Sequence, residues 1–480
     1  MKSKNIFWSV GVILTIVLAG LSLNLSKNQS LEGMVIFTRI PIDNFEIQKN
    51  NLTSNFIGAQ IVAIDPNNPE GSEIILTTEF FSACSPNISY DAKRILFTAQ
   101  QNENDNWQIW EMDLETKTSK KITDFKESCF GPNYLPFNRL VFTKQMPESG
   151  IGKIHALHTM NLDGSNFSQI TFQPHFDYTA TVLKDGRLLM LSKQLFPESG
   201  EMVYMAMRPN GTKAELFYKG EIGSILNTQS YETEDGLVYF IESENKAKNG
   251  GDIISIHQNR PLFTKENITS EITGSFYSVL PTQSGEMFVS YQASESEPSV
   301  LFRFSVKDKS LGELIYSNPE YFIVEPLFVE AFTRPRDLPD DVDPEISTGL
   351  LLCQDINVVA LQPETSSETV EATKVELLGI DKSLGIVPVE EDGSVYLKVV
   401  ADTPVRFQTL DENDNVVNGP SGWMWVRPFE RRGCVGCHED PELTPDNFVP
   451  FAVKKEPVSI PVENSPETEQ SSTNERTEQK

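Results

Sequence analysis

The stretch DAKRILFT, residues 91–98, joins a polar turn to a short apolar strand, and this combination returns along the chain. Most copies follow turn signals such as Asp185-Gly186 or Asp235-Gly236, which supply the positive backbone dihedrals of a two-residue hairpin. Further copies of the apolar strand, mostly about 45 to 50 residues apart, lie at 35–38, 140–143, 190–192, 238–240 and 287–290. Short strands with turns at a period of this size predict four-stranded blades that close into a ring.

Each repeat unit continues with a second strand, as at residues 107–112, and with a polar turn and a closing strand, as at 161–171. We therefore predict an all-β protein in which residues 31–333 form a six-bladed β-propeller. The order strand, Asp-Gly turn, strand, Met-Asp-Leu and Lys-Ile-Thr resembles the TolB-like propeller repeat. Propellers serve as enzymes, binding scaffolds and cofactor docks, so this fold names no function.

The composition changes after the propeller. Residues 334–348 form a Pro/Asp-rich linker, and several strand-like runs with a hairpin turn at Glu391-Asp392-Gly393 follow. This pattern predicts a small antiparallel β-sandwich over residues 349–422. Residues 454–480 are rich in Glu, Pro, Ser and Thr, which predicts a disordered acidic tail.

The N-terminal residues 1–30 indicate export. Lys2 and Lys4 precede an apolar run over residues 6–23, which is typical of a signal peptide or an uncleaved membrane anchor, and both interpretations stay open. We expect a periplasmic or other extracytoplasmic location. The formal charge of −28, from 68 acidic and 40 basic residues, argues against nucleic acid or anionic lipid as a partner.

Two pairs of residues inside the propeller have competing interpretations. Cys84 and Cys129 occupy matching points of consecutive units, so they are either disulfide-bonded across neighbouring blades or two buried small residues. His155 and His158 lie three apart on one strand and therefore point to opposite faces. We expect them at the surface or along the channel rather than on a shared metal.

The strongest chemical signal is the sequence Cys434-Val435-Gly436-Cys437-His438. Two thiols three residues apart can each add to one vinyl group of a porphyrin, and the following histidine can reach the iron. We therefore predict one covalent haem c in a segment over residues 423–445, with His438 as an iron ligand. Export favours this interpretation, because bacteria attach haem outside the cytoplasm.

The residues before this motif are candidates for the haem pocket. Arg427, Arg431 and Arg432 suit haem propionates, and the tryptophans at 423 and 425 suit packing on the porphyrin ring. The competing interpretation is a solvated basic face with ordinary core aromatics. Met424 is the nearest thioether in sequence and the candidate sixth iron ligand.

Other interpretations of the cysteines involve no haem or an added metal. Cys434 and Cys437 suit a small disulfide, and Cys353, Cys434, Cys437 and His438 together suit a Cys₃His zinc site. Cys353 and Asp355 are two residues apart and would share a face of one strand. With His438 they would offer three ligands to zinc beside a thioether-bound haem.

The C-terminal motifs resemble a known family. A propeller, a sandwich with Cys353-x-Asp355, then Trp-x-Trp-Val-x-Pro and Arg-Arg-Gly-Cys-Val-Gly-Cys-His-Glu are similar to the hydrazine synthase α-subunit middle-domain family over most of residues 31–445. The resemblance implies that Cys434 and Cys437 bind a c-type haem. The chain has one C-x-x-C-H motif and no Tyr follows it, so hydrazine synthesis is not implied.

Two functional classes remain from the sequence. One is an exported c-type haem protein in electron transfer or haem-based redox chemistry, with an unidentified redox partner and the propeller as scaffold or docking surface. The other is a non-catalytic binding propeller for an envelope protein, with a structural Cys/His zinc site.

Overall fold

The computed structural model describes residues 30–44, 56–147, 154–193, 202–221, 223–244, 250–358, 370–436 and 448–461. Regular structure in these residues is almost entirely β, in six four-stranded sheets followed by two further four-stranded sheets. The predicted all-β fold class, a six-bladed propeller followed by a sandwich, is confirmed.

Six antiparallel sheets, here called blades 1 to 6, form the propeller. Blade 1 consists of β1 (Val35–Pro41), β2 (Gln60–Ile64), β3 (Ile74–Ile75) and β24 (Tyr321–Phe328). The others are blade 2 with β4 (Ser82–Ile88), β5 (Arg94–Gln100), β6 (Gln108–Asp113) and β7 (Ser119–Lys121); blade 3 with β8 (Cys129–Leu135), β9 (Arg139–Gln145), β10 (His155–Asn161) and β11 (Ser168–Gln169); blade 4 with β12 (Asp177–Val182), β13 (Leu188–Lys193), β14 (Met202–Met207) and β15 (Glu215–Lys219); blade 5 with β16 (Ile225–Glu232), β17 (Leu237–Ser243), β18 (Asp252–His257) and β19 (Glu266–Asn267); and blade 6 with β20 (Ser275–Pro281), β21 (Met287–Gln292), β22 (Val300–Ser305) and β23 (Ser310–Tyr316).

The ring closes in blade 1, where the last propeller strand pairs with the first. β24 joins β1 in an antiparallel ladder that pairs Val324 with Thr38. Phe37, Phe97 and Phe142, the aromatic residues of the repeated strand, are fully buried. Each such burial stabilises the fold by roughly 2 kcal/mol, which explains why this position recurs in the repeat.

The sandwich packs two sheets around one apolar core. The first sheet contains β31 (Arg431–Cys434), β25 (Thr348–Cys353), β28 (Val395–Val400) and β32 (Val458–Ile460). The second contains β27 (Ser383–Pro388), β26 (Lys374–Leu378), β29 (Arg406–Leu410) and β30 (Val416–Asn418). A 3₁₀ helix (Phe451–Lys454) precedes β32.

Two strand pairs of the first sheet are parallel. β31 pairs with β25, and β32 pairs with β28, in parallel registers. The prediction of a disordered tail over residues 454–480 is therefore wrong for Val458–Ile460. Three residues are too few to indicate a strand by themselves, but their backbone groups extend an existing sheet edge. Residues 462–480 lie outside the described residues.

The linker after β24 runs across one face of the propeller. Phe332 N donates to Tyr90 O over 3.0 Å, and Arg336 N donates to Lys184 O over 3.1 Å. Gly186 has a φ of +94°, and a Cβ there would overlap the carbonyl of Arg336, so the linker passes directly over this turn. This path brings the sandwich beside blade 4.

No helix within the described ranges is long and apolar enough to cross a membrane. The apolar run at residues 6–23, on which the export prediction rests, lies outside those ranges.

Candidate functional site

The first half of the C-x-x-C-H motif is held on the edge of the sandwich. Cys434 ends β31, where it is the register partner of Cys353 on β25. The ladder continues past the strand, because Gln354 N donates to Cys434 O over 2.9 Å and Asp355 N donates to Val435 O over 3.1 Å. Register partners on neighbouring strands point to the same face, so both cysteine side chains lie on the side of the sheet that carries the sandwich core.

The next motif position requires glycine. A Cβ on Gly436 would overlap the carbonyl oxygen of Val358, so the backbone passes too close for any other residue. Cys437 and His438 lie outside the described residues. Their roles as the second thioether and the iron ligand therefore stay predictions.

Asp355 lies differently from the sequence expectation. β25 ends at Cys353, so Asp355 belongs to the following turn, and the prediction that the two share a face of one strand is wrong. Its Oδ1 accepts a hydrogen bond from Asn357 N over 2.9 Å and lies against Gly393. An aspartate at a strand end bonds to the backbone two residues on and forms a turn in place of the next strand residue.

No group of three or more His, Cys, Asp or Glu side chains within the described ranges is arranged to hold a metal ion. The zinc sets proposed from the sequence include His438, which lies outside the ranges, so they stay predictions. Asp355 and Cys353 nevertheless lie at the same end of the sandwich as Cys434.

The sheet end that carries Cys434 also carries exposed apolar residues. Phe451 N donates to Asp392 Oδ2 over 2.8 Å, which fixes the 3₁₀ helix near Gly393 and the turn of Asp355. Phe448, Val449 and Phe451 are exposed apolar residues in this returning segment. The Oε1 atom of Gln354 is buried without a hydrogen-bond partner in the described part of the chain. Exposed apolar residues at the same sheet end as a half-buried thiol fit the apolar face of a porphyrin.

Two of the three candidate propionate partners are used elsewhere. Arg427 is buried, donates from Nε to Asn210 O over 2.9 Å and pairs with Asp402 at 2.7 Å. Arg432 is buried and pairs with Glu430 at 3.0 Å. A role for these two as propionate ligands is therefore not favoured, because their charges are compensated inside the protein.

Arg431 remains the candidate partner of an anionic group such as a haem propionate. Its side chain is exposed, and its guanidinium lies 5.6 Å from the ring centroid of Phe429. Its carbonyl oxygen accepts a hydrogen bond from Lys213 Nζ, so its backbone is fixed to the propeller while its side chain is accessible.

Trp425 lies at the contact between propeller and sandwich, whereas Trp423 contacts a residue of the sandwich. Trp425 is fully buried in an apolar cluster with Ile170 and Met205 of blades 3 and 4, and its Nε1 donates to Gly211 O over 3.2 Å. Trp423 is buried beneath the Arg406 guanidinium, 4.8 Å from its ring centroid. The interpretation as core aromatics therefore fits, and packing on a haem ring does not.

Met424 lies between these tryptophans and faces the other way. It pairs with Val405 through an isolated antiparallel bridge and packs against the sandwich core. Its proposed role as sixth ligand stays a prediction.

Glu430 is a central residue that the sequence analysis missed. Its Oε1 accepts from Lys213 N over 2.8 Å and from Arg432, while its Oε2 accepts from Arg427 N over 2.8 Å. One carboxylate thus joins a propeller turn to the segment before the haem motif. In the sequence, the feature that could have indicated this role is that Glu430 is a single acidic residue among three arginines.

The propeller cysteines are buried and separate. Cys84 and Cys129 are free thiols in different apolar clusters, so the disulfide prediction is wrong. Because the two residues occupy matching repeat positions, each thiol is buried between a different pair of neighbouring blades. Burial raises the pKa of Cys129 to about 12, which keeps its thiol protonated and unreactive.

Both propeller histidines are buried on β10, two strands away from the inner strand β8, so the prediction of a surface or channel position is wrong. His155 Nδ1 lies 2.8 Å from Tyr178 Oη, towards blade 4. His158 stacks on Phe167 with a centroid distance of 4.9 Å. Desolvation by burial lowers the pKa of His158 to about 4. The two side chains make these contacts with different residues.

The fold and site thus define a class: a closed six-bladed propeller joined to a sandwich whose edge strand carries the first cysteine of a C-x-x-C-H motif. Within this class, residues 354–439 match the family model described as the hydrazine synthase alpha subunit middle domain. The resemblance predicted from the sequence is therefore confirmed.

Hydrazine synthase subunit alpha of Kuenenia stuttgartiensis is 21% identical over 511 residues, covering 79% of this chain and 62% of that protein. The chain thus spans less than two thirds of that relative. The solved Kuenenia stuttgartiensis hydrazine synthase superposes with a TM-score of 0.77 at 19% identity, covering 88% of this chain and 71% of that one. TolB from Acinetobacter baumannii gives a TM-score of 0.43 at 14% identity, over 62% of this chain and 67% of TolB.

Proposed function

We propose that this protein is an exported c-type haem protein that acts in electron transfer or haem-based redox chemistry. The observation that carries the proposal is the fixed position of Cys434 at the edge of the sandwich, inside the stretch that matches the hydrazine synthase alpha middle domain. The propeller serves as the scaffold or docking surface for the redox partner.

The chain's own residues hold and shield the cofactor in this proposal. The parallel ladder between β31 and β25 orients Cys434, and Gly436 keeps the backbone against Val358. Cys437 and His438 follow and would supply the second thioether and an iron ligand. The apolar side chains of Phe448 and Phe451 would exclude water from the porphyrin face. Bound haem would supply a reversible one-electron change at its iron.

The position of Cys353 beside Cys434 supports a second candidate function. Its register pairing with Cys434 would allow a Cys₃His zinc site together with Cys437 and His438. In that case the protein would be an envelope binding propeller with a structural metal. Elemental analysis separates the two candidates: the first requires about one iron per chain, and the second requires zinc without haem iron.

Export is part of the proposal and is tested by itself. The apolar run at residues 6–23 would act as a signal peptide or an anchor. Cell fractionation should place the protein outside the cytoplasm, and the N-terminal peptide mass should distinguish cleavage from anchoring. Recovery in the cytoplasmic fraction would contradict export.

The haem proposal is tested by expression in a bacterium with haem-ligation machinery. Haem staining after denaturing electrophoresis should label the full-length chain, because thioether bonds survive denaturation. Cys434→Ala combined with Cys437→Ala should abolish the stain, whereas Cys129→Ala is the matched control and should keep it. An unstained wild-type band would refute the proposal.

A further inference from the structure

The inner strands of the propeller share a bulge at the same point. β4, β8 and β24 line the central channel, and each contains a residue with positive φ followed by proline. These residues are Ser85 at 53°, Gly131 at 55° and Glu325 at 56°. The strand registers shift at the same places, so the three positions are equivalent in blades 2, 3 and 1.

At two of these equivalent positions, a threonine hydroxyl alone accepts the hydrogen bond of the backbone N–H group. Gly131 N donates to Thr98 Oγ1 over 3.1 Å, and Thr179 N, at the bulge of blade 4, donates to Thr143 Oγ1 over 3.1 Å. Each threonine belongs to the apolar-Phe-Thr strand of the preceding blade. A hydroxyl group is therefore sufficient for the backbone at this position.

Between blades 1 and 2 a carboxylate replaces this direct bond. Ser85 N donates to Glu325 Oε2 over 2.6 Å, and Thr38 Oγ1 donates to the same oxygen over 2.7 Å. Ser85 Oγ donates to Glu325 Oε1 over 3.1 Å. Thr38 is the equivalent of Thr98, so the fold does not require Glu325.

Glu325 carries a high energetic cost at this position. Burial raises its pKa, and the hydrogen bonds from Thr38 and Ser85 only oppose that shift, with no cationic side chain among the influences on its charge. A buried carboxylate without a counter-charge is destabilising, and left-handed backbone at a non-glycine residue adds to that cost. Such a residue requires a function.

The space beside Glu325 has the character of a binding site. A cavity of about 100 Å³ lies on the propeller axis and is lined by polar side chains from several blades. Ser230 lines it, and its Oγ is buried without a hydrogen-bond partner in the part of the chain that the structure describes. The cavity also contacts Asn133 and Thr181, which add neutral oxygens.

The route to this cavity is acidic. A larger cavity of about 480 Å³ opens on one propeller face and shares Asn87, Thr181 and Tyr231 with the axial one. Its lining carries several carboxylates and one lysine, namely Glu232, Glu234, Asp235, Glu286, Glu330 and Lys184. A cleft lined by one sign of charge concentrates counter-ions.

We propose that the propeller channel binds a small singly charged cation, an alkali-metal ion or a primary ammonium, with the Glu325 carboxylate as its counter-charge. Ser230 and the neighbouring amide and hydroxyl oxygens complete the coordination. One carboxylate neutralises one charge, whereas calcium sites use several. The described residues hold no cluster of three ligating acids, so a divalent ion is not the expected occupant. This site is independent of the haem.

The test compares thermal unfolding of the full chain in different chloride salts at equal ionic strength. Choline is the cation too large for the cavity, and potassium, rubidium and methylammonium are the probes. A small cation should raise the unfolding midpoint saturably by about 2–5 °C over choline. A rise with potassium or rubidium identifies a metal ion, and a rise with methylammonium alone identifies an ammonium.

Three variants assign the effect to the cavity. Glu325→Gln should remove the salt-specific rise, whereas Glu103→Gln, at an exposed position outside both cavities, should keep it. Ser230→Ala keeps the charge and should raise the cation concentration for half of the effect about fivefold. Equal midpoints in all salts, or a rise that persists unchanged in both Glu325→Gln and Ser230→Ala, would overturn the proposal.

Discussion

Two buried glutamates of this protein have opposite surroundings. Glu430, in the segment that joins sandwich and propeller, pairs with Arg432 and accepts backbone hydrogen bonds, with both side chains almost fully buried at 1% and 9% exposure. Glu325, on the propeller axis, has only hydroxyl and N–H donors. The difference teaches that a compensated buried charge holds domains together, whereas an uncompensated one indicates a site for an external charge.

The largest effect on stability is expected at the contact between propeller and sandwich, where the buried charge of Glu430 is compensated. Trp425→Ala would leave a cavity between blades 3 and 4 and remove the hydrogen bond to Gly211 O. We expect a loss of about 3–5 kcal/mol in the free energy of unfolding, measured by urea denaturation. The linker should also become sensitive to proteases. Unchanged stability and proteolysis would contradict the assignment of Trp425 to the domain contact.

Removing the charge of Glu430 should be almost as severe. Glu430→Ala leaves the buried Arg432 without its partner, and breaking a buried pair in this way costs about 3–5 kcal/mol. Thermal unfolding checks this, with exposed Glu391→Ala as the matched control. If both variants melted alike, Glu430 would not be the centre of the contact.

His158 extends the comparison to a buried base without a counter-charge. Its folded pKa of about 4 lies below the unfolded value of about 6.5, so the unfolded state binds the proton first as pH falls. Stability should therefore be full above pH 6.5 and decrease by up to about 3 kcal/mol as pH falls to 4. Denaturation at several pH values should show a smaller decrease in His158→Gln. An identical pH profile in that variant would contradict the assignment.

The smallest effect is expected at Glu325. In choline chloride, Glu325→Gln should change the free energy of unfolding by less than about 1 kcal/mol or increase it, because it removes an uncompensated buried charge. Glu430→Ala should lower the free energy of unfolding, whereas Glu325→Gln should leave it nearly unchanged or raise it. A loss above 3 kcal/mol would show that both glutamates are structural.

The sequence predicted the propeller because its signals are local. A period-two apolar strand, a turn with glycine and a fixed repeat length identify blades without any knowledge of distant contacts. Glu325 was also visible in principle: the bulges read Ser85-Pro86, Gly131-Pro132 and Glu325-Pro326 when the repeats are compared.

The domain contact could not be predicted in the same way. Trp425 and Arg427 bind Gly211 and Asn210, which lie more than two hundred residues earlier, and no local pattern specifies this docking. The same segment therefore resembled a haem pocket when only its neighbours in sequence were considered. Asp355 was misplaced because a strand pattern does not show where a hydrogen-bonding side chain ends the strand.

The central claim is that Cys434 and Cys437 carry one covalent haem. Intact-mass spectrometry of protein made with haem-ligation machinery tests it most directly. We predict a chain heavier than the polypeptide by one haem after denaturation, and a mass without that addition in Cys434→Ala combined with Cys437→Ala. A wild-type mass equal to the bare polypeptide would contradict the account.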